Sequence, residues 1–200
     1  MALSLDVKKA LPGFTLDVAW EAGDEVVTLF GPSGAGKTLT LQCLAGLVRP
    51  DAGRIVVNGT VFFDGARGVD LPAQRRRLGY VFQGYALFPH LSVRDNVAYG
   101  LRHLAGPARR GRTREVLERL GLVDLASRRP RQLSGGQQQR VALGRALRLT
   151  TAATWLSGAW SLVSIGTCTM PGTSATESAT IPVSTAPVST NWSVCRMFSP

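Results

Sequence analysis

The chain has 200 residues, of which 18% are charged, and a formal net charge of +10 at pH 7. This length is sufficient for one domain with a sizeable core. The sequence shows no apolar run long enough to cross a membrane, no secretory signal at its start, and only three scattered cysteines, which argue against a disulfide framework or a metal site. We therefore expect a cytoplasmic protein.

The positive charge is confined to one part of the chain. All but one of the 23 Lys and Arg residues and all but one of the 13 Asp and Glu residues fall within residues 1–149. Such an excess is compatible with nucleic acid, an anionic membrane surface or a solvated face. We favour a solvated face, because no nucleic-acid module or aromatic stacking pattern accompanies the arginines.

The first half of the chain alternates strands, turns and one helix. Apolar and polar residues alternate over residues 3–7 and 14–18, which predicts two strands with one buried face. The apolar run 26–30 predicts a buried strand. Helical spacing of apolar residues predicts a helix over 37–48, and the Asn58-Gly59 pair between two short apolar runs predicts a hairpin.

The second half begins with an apolar strand over residues 78–83. Ser92 is a suitable N-cap for a helix that ends near Leu101. The Gly, Pro and Arg residues of 105–112 predict a loop, and residues 114–120 predict a short amphipathic helix.

A phosphate-binding loop of the form G-x-x-x-x-G-K-[ST] follows the apolar run 26–30. Its members are Gly31, Pro32, Ser33, Gly34, Ala35, Gly36, Lys37 and Thr38. Glycines let backbone N–H groups turn around a phosphate, and the positive end of the next helix points at the same place. We expect Lys37 to pair with the β- and γ-phosphates and Thr38 to ligate Mg²⁺. The alternative, a glycine-rich turn with an incidental lysine, accounts less well for the agreement between motif and flanks.

Two further motifs lie in the second half. Gln83 ends an apolar strand and precedes an aromatic segment with Tyr85 and Phe88; the string Leu133-Ser134-Gly135-Gly136-Gln137 opens a later helix. Backbone donors at such a helix start can bind an anion. The plainer alternatives are an ordinary N-cap for Ser134 and core packing for the two aromatic residues.

In this order and spacing, the three motifs resemble the ATP-binding subunits of ABC transporters, over about residues 3–148. The first half is most similar to importers of molybdate and related oxyanions, although sulfate, polyamine and iron importers share much of it. The resemblance implies an α/β fold with a P-loop NTPase core of the ABC ATPase type. It places the nucleotide-binding domain at residues 1–149, with a helical insert at about 84–132.

The resemblance also implies a mechanism. ATP with Mg²⁺ would be sandwiched in a head-to-tail homodimer, where Ser134, Gly135, Gly136 and Gln137 of one subunit meet the γ-phosphate held by the phosphate loop of the other. Lys37 and Gln83 would act in catalysis, with Gln83 reaching Mg²⁺ and the attacking water. Phe14 is the candidate for stacking on adenine, with a core position as the alternative.

The partners implied by the resemblance are transmembrane permease subunits, contacted through the segment that carries Tyr85 and Phe88, and indirectly a periplasmic binding protein. The protein would then be peripheral, on the cytoplasmic face of the cell membrane.

The chain departs from the family after residue 149. About twenty residues past the LSGGQ string, the family has an apolar strand ending in Asp-Glu, then an Asp in a turn and later a switch His. In register, the strand falls at residues 153–156, the pair at Ser157-Gly158 and the turn Asp at Ser164, and neither His90 nor His103 stands at the switch position. Loss of a general base costs about 10²–10⁴ in rate. We therefore expect little or no hydrolysis, and because Mg²⁺ would lose a coordinating partner with the first carboxylate, we also expect weak ATP binding.

Residues 150–200 are dominated by Ser and Thr and show no helical period. Such a composition predicts a disordered or poorly packed tail. We therefore expect a truncated or degenerate C-terminal part, without the regulatory domain that many such subunits carry, and a damaged reading frame is one explanation for it. Two rival functions remain open: a non-transport ABC protein that binds nucleic acid or ribosomes, and a non-functional remnant.

Overall fold

The computed structural model describes residues 2–23, 26–146, 162–164 and 193–197, which divide into two compact units. The first unit holds the described residues up to Arg77 together with 193–197. The second holds residues 78–146 together with 162–164. The predicted domain boundary at residue 149 and the predicted insert at 84–132 stay predictions.

The first unit is rich in strands and the second in helices. In chain order, the first unit contains β1 (Leu3–Leu11), β2 (Phe14–Ala22), β3 (Val26–Phe30), α1 (Lys37–Ala45), β4 (Ala52–Val57), β5 (Thr60–Asp64) and β6 (Val69–Asp70). The second contains β7 (Gly79–Val81), α2 (Val93–Gly100), α3 (Gly106–Arg119), α4 (Gly135–Ala146) and β8 (Leu162–Ser164), and β9 (Ser193–Met197) returns to the first.

Five strands of the first unit form an antiparallel sheet in the order β2-β1-β4-β5-β6. The predicted alternation is confirmed in β1 and β2, where Leu5 lies opposite Trp20 and Val7 opposite Val18, all buried on one face. The predicted hairpin between β4 and β5 is also confirmed. Asn58 and Gly59 have φ values of 49° and 75°, the pair of positive angles that a tight two-residue hairpin needs.

Helix α1 ends at Ala45, three residues before the predicted end at 48. Gly46 adopts a left-handed conformation, and the N–H of Leu47 donates to the carbonyl of Gln42, which closes the last turn. Cys43 is fully buried on this helix, and burial raises the pKa of its thiol to about 11. The residue therefore packs in the interior of the first unit.

The three helices of the second unit share an apolar core. Val97 of α2, Val116 of α3 and Val141 of α4 are among its buried residues. Gly144 allows this close packing, since a Cβ there would lie 2.9 Å from the Leu120 side chain. Glycine at this position therefore lets α4 approach the end of α3.

The prediction of a loop over residues 105–112 is wrong, because α3 begins at Gly106. Pro107 lies in the first turn, where its missing N–H has no helical acceptor in any case, and the arginines that follow are good helix formers. The predicted helix at 114–120 is the second half of the same element.

Two short segments from beyond residue 149 form strands, where the composition predicted no regular structure. β9 pairs antiparallel with β3, with Phe30 opposite Ser193, and β8 pairs parallel with β7, with Gly79 opposite Leu162. The predicted strand at 153–156 and the Ser157-Gly158 pair lie outside the described residues.

Within the described part of the chain, no helix is both long and apolar enough to cross a membrane. The same residues contain no cluster of three or more His, Cys, Asp or Glu side chains arranged to hold a metal ion.

Candidate functional site

The phosphate loop connects β3 to α1 in the first unit. Gly34 and Gly36 have φ values of 84° and 88°, a left-handed conformation that favours glycine. Gly36 is also the N-cap of α1, and no side chain caps the helix there. The N–H groups of the first turn precede the first intrahelical bond, which joins the Thr40 N–H to the Gly36 carbonyl at 2.8 Å. These donors are suited to an anion.

Lys37 is the first residue of α1 and its ammonium lies across the loop. Nζ donates to the carbonyl oxygens of Gly31 and Pro32, both at 2.7 Å. Thr38 follows it and is exposed. A flexible ammonium, an exposed hydroxyl and uncapped N–H groups form a donor set that fits a triphosphate with Mg²⁺. Pro32 and Ser33 are exposed and Ala35 is buried, so the loop presents its tip to solvent.

Phe14 lies beside this loop. A Cβ on Gly36 would fall 3.0 Å from the Phe14 ring and 2.7 Å from the Leu16 side chain. The loop therefore packs closely on β2, and the Phe14 ring is half-buried there. Stacking on adenine stays a prediction for this residue.

Gln83 lies in the second unit, in a turn after β7. The strand ends at Val81, two residues before the predicted end, so Gln83 is exposed in a turn and not at a strand terminus. Its role toward Mg²⁺ and water stays a prediction.

The segment after Gln83 has an unusual backbone. Tyr85 and Ala86 have φ values of 58° and 46°, a left-handed conformation that costs non-glycine residues about 1–2 kcal/mol each. The guanidinium of Arg145 in α4 stabilises this bend by donating to the Ala86 carbonyl at 2.6 Å and to the Tyr85 carbonyl at 3.0 Å. Burial lowers the pKa of Arg145, but the guanidinium group is so basic that it stays charged.

The other end of the segment is held by Asn96 of α2, which is fully buried. Its amide oxygen accepts from the Phe88 N–H at 2.9 Å, and its amide nitrogen donates to the carbonyls of Phe88, Leu91 and Ser92. Ser92 caps α2 as predicted, by accepting from the Asp95 N–H. The Phe88 ring packs within the chain against Tyr99, with ring centroids 4.5 Å apart.

Sequence reasoning did not single out Arg145 or Asn96. Asn96 could have been found from the sequence, because it is a polar residue on the buried helical stripe formed by Val93, Val97 and Gly100. Arg145 left none, since it lies 59 residues from its acceptor at Ala86.

Ser134 precedes α4 and acts as its N-cap. Its hydroxyl accepts from the Gln137 N–H at 3.3 Å, and the Gln137 side chain accepts from the Ser134 N–H at 2.9 Å. This reciprocal pair is a capping box. The plainer interpretation of Ser134 as an N-cap therefore holds within the chain, whatever else the hydroxyl binds.

Gly135 and Gly136 form the exposed first turn of α4. Neither has a positive φ, and a Cβ on either would meet nothing within 4 Å. Glycine in a helix is less stable than alanine by roughly 0.5–1 kcal/mol. The described fold therefore gives no internal reason for two glycines here, and their absent side chains leave the helix start open to close approach from outside.

A phosphate loop between a strand and a helix, within a mixed α/β chain that also carries a helical bundle, defines a P-loop nucleotide-binding fold. The family model for ABC transporters matches residues 16–154, and the chain belongs to this family. The predicted fold class is thereby confirmed.

Among curated proteins, the chain is similar to the molybdenum import ATP-binding protein ModC of Rhodospirillum rubrum, at 50% identity over 145 residues, 72% of this chain and 39% of that protein. It is also similar to the molybdate/tungstate import ATP-binding protein WtpC of Archaeoglobus fulgidus, at 48% identity over 147 residues, 74% of this chain and 59% of that protein. The chain thus spans about two fifths to three fifths of the length of these relatives.

A solved structure of a dimeric ATP-binding cassette in a post-hydrolysis state, bound to ADP and Pi, is similar in fold. It has a TM-score of 0.59 and 31% identity, and the match covers 74% of this chain and 69% of the solved chain. The predicted resemblance to molybdate-type ATP-binding proteins is confirmed by these comparisons.

Proposed function

We propose that the chain is the ATP-binding subunit of an ABC importer for molybdate or a related oxyanion, peripheral to the cytoplasmic face of the membrane. Family membership and the names of the two curated relatives support this proposal. The main observation behind it is that α4 begins with Gly135 and Gly136 although the described fold does not require glycine there, which leaves the helix start open.

The phosphate loop is the proposed site for the triphosphate. Lys37 exchanges its two carbonyl acceptors, Gly31 and Pro32, for phosphate oxygens, while the N–H groups at the start of α1 donate to the same anion. Thr38 and Gln83 are the proposed ligands of Mg²⁺, which neutralises charge on the phosphates when bound. Gln83 also orients the attacking water.

The start of α4 is the proposed second half of the site. Ser134, Gly135, Gly136 and Gln137 bind the γ-phosphate held by the phosphate loop of a second copy, so that two copies enclose ATP in a head-to-tail dimer. The dimeric cassette of similar fold supports this arrangement. Two glycines at the helix start let a triphosphate approach the backbone donors more closely than any side chain would permit.

The segment between Gln83 and Ser92 is the proposed docking site for permease subunits, which in turn receive the anion from a periplasmic binding protein. Arg145 and Asn96 hold this segment from α4 and α2. Because α4 also begins with the proposed γ-phosphate site, one helix contacts both regions and is suited to transmit closure between them.

Calorimetric titration of Mg-ATP into the full chain tests the nucleotide site. We expect measurable binding, and we expect Lys37→Ala to weaken it at least tenfold, because a charge-assisted bond to phosphate contributes about 1.5–3 kcal/mol. The matched control is Lys8→Ala, which removes the same charge from an exposed lysine paired with Asp17. Equal affinity of the Lys37 variant and the Lys8 variant would contradict the proposal.

A further inference from the structure

Arg76 is the most deeply buried arginine among the described residues, and the proposed function does not use it. It follows the short 3-10 turn Ala73–Arg75, and its side chain is 0% exposed. Its two neighbours in the arginine triplet, Arg75 and Arg77, are exposed. A buried guanidinium needs a partner for nearly every N–H group.

Each of the three nitrogens of Arg76 has such a partner. Nη1 donates to the carbonyls of Cys43 and Leu44 at 2.7 and 2.8 Å, and Nε donates to the Leu71 carbonyl at 2.7 Å. Nη2 donates to Asp70 at 3.2 Å. The guanidinium also lies 5.6 Å from the centroid of the Phe62 ring. The side chain therefore joins the strand region at residues 62–71 to helix α1.

The two Nη1 acceptors are carbonyls of the last turn of α1, where few N–H donors remain; the Cys43 carbonyl also accepts from the Gly46 N–H at 3.2 Å. A positive charge at this end also complements the partial negative charge of the helix C-terminus. Gly46 leaves room for the contact, because a Cβ there would lie 2.6 Å from Nε of Arg76. Burial lowers the pKa of Arg76, whereas the Asp70 carboxylate raises it, and the group remains charged.

The opposite end of α1 is the phosphate loop. There Gly36 packs against Leu16 and Phe14 of β2, which fixes the helix start. A helix of nine residues is about 13 Å long and rigid, so two anchors determine where its first turn points. Arg76 supplies the anchor at the far end.

We propose that Arg76 is a positioning residue for the phosphate loop: by fixing the C-terminal turn of α1, it aims the N–H groups of the first turn, Lys37 and Thr38 at the triphosphate. This inference rests on the proposed binding of ATP. Arg76 lies at the opposite end of α1 from the phosphate loop, so it acts through the helix and not by contact with phosphate.

The test compares Mg-ATP affinity among full-length variants by calorimetry, at a temperature at which circular dichroism shows each to be folded. We expect Arg76→Met to weaken binding about tenfold, the lower end of what loss of outer-shell partners costs at metal sites. Arg76→Lys keeps the charge but loses the planar set of donors, so we expect its affinity to lie between those of Arg76→Met and the wild type. Arg75→Met removes the same charge from an exposed neighbour and leaves affinity unchanged.

A second readout separates positioning from general destabilisation. Hydrogen exchange of the peptide covering residues 37–48, measured without nucleotide, becomes faster in Arg76→Met. Val57→Ala serves as the stability control, since it truncates a buried residue of β4 that makes none of the bonds holding α1. We expect Val57→Ala to lower the melting temperature while affinity and α1 exchange stay at wild-type values.

Each result decides between the alternatives. Wild-type affinity in folded Arg76→Met, or an equal loss of affinity in Val57→Ala, overturns the positioning role alone. If Arg76→Met does not fold, Arg76→Lys decides, and wild-type affinity in that variant overturns the proposal. Failure of the wild-type chain to bind Mg-ATP overturns the proposed function and this inference together.

Discussion

Single buried polar residues bond to the main chain in both units. Thr40, Asp64, Arg76, Asn96 and Thr113 are buried, and each has at least one hydrogen-bond partner in the structure. A buried polar group is costly only when it loses its partner. Most of these side chains bond to main-chain atoms of a loop or a helix end, so they constrain the backbone directly.

A substitution at Asn96 measures how much one of these buried side chains stabilises the fold. We expect Asn96→Ala to lower the free energy of unfolding by about 2 kcal/mol, because the partly buried Phe88 N–H loses its acceptor and the carbonyls of Phe88, Leu91 and Ser92 each lose one donor. Urea denaturation of the full chain is the measurement. The matched control is Gln139→Ala, which removes an exposed amide from α4 and stays within about 0.5 kcal/mol of the wild type. A similar loss in both variants would show that the amide bonds of Asn96 are not the cause.

Among the elements, β1, β2 and the hairpin of β4 and β5 were the most predictable from the sequence, whereas the prediction that the strand over 26–30 is buried is wrong, since Phe30 is 54% exposed. The alternation in β1 and β2 and the Asn58-Gly59 turn are local signals, and the two strands and the hairpin formed as expected, although the sequence did not predict that β1 pairs with β2. The start of helix α3 was predicted wrongly because Gly106 and Pro107 are compatible both with a loop and with a helix start. Neighbouring residues do not distinguish these cases, since packing of Val116 and Leu117 on the core decides.

Some parts of the candidate site were likewise predictable from the sequence, and others were not. The phosphate loop and the Ser134 cap were predictable, because each is a contiguous motif whose geometry is local. The roles of Arg76 and Arg145 were not, because their acceptors lie 33 and 59 residues away in the chain. Long-range contacts of this kind leave no periodicity in the sequence.

Helix α4 provides a prediction that separates two roles of one hydroxyl. Ser134→Ala should lower the free energy of unfolding by about 1 kcal/mol, whereas Ser134→Gly should lower it by only a few tenths, because glycine is tolerated at an N-cap. Both variants lose the hydroxyl proposed to meet the γ-phosphate. We therefore expect equal loss of ATP-driven dimerisation, measured by sedimentation, despite unequal stability. Dimerisation that instead follows stability would reduce Ser134 to its capping role.

At the scale of the whole molecule, the groups proposed to bind ATP and the positions expected to carry the catalytic carboxylates lie in different parts of the chain. The phosphate loop at the start of α1 and the Ser-Gly start of α4 both lie within residues 1–146. Counted from the LSGGQ string, the catalytic carboxylates implied by the family are expected at positions 157 and 158, where this chain has Ser157 and Gly158; both lie outside the described residues. The chain is thus proposed to bind and clamp ATP without an efficient means of cleaving it.

The rate of phosphate release after the chain is mixed with Mg-ATP tests whether it hydrolyses ATP. We expect a rate about 10²–10⁴ below that of the Rhodospirillum rubrum ModC assayed in parallel, since no carboxylate at these positions can polarise the attacking water. Lys37→Ala is the control for contaminating ATPases, because it removes the lysine of the phosphate loop and leaves any contaminant unaffected. Release at the rate of the relative, abolished by Lys37→Ala, would show that another group in this chain or its partner copy supplies the base. Release that persists in Lys37→Ala belongs to a contaminant, and subtracting it gives the intrinsic rate.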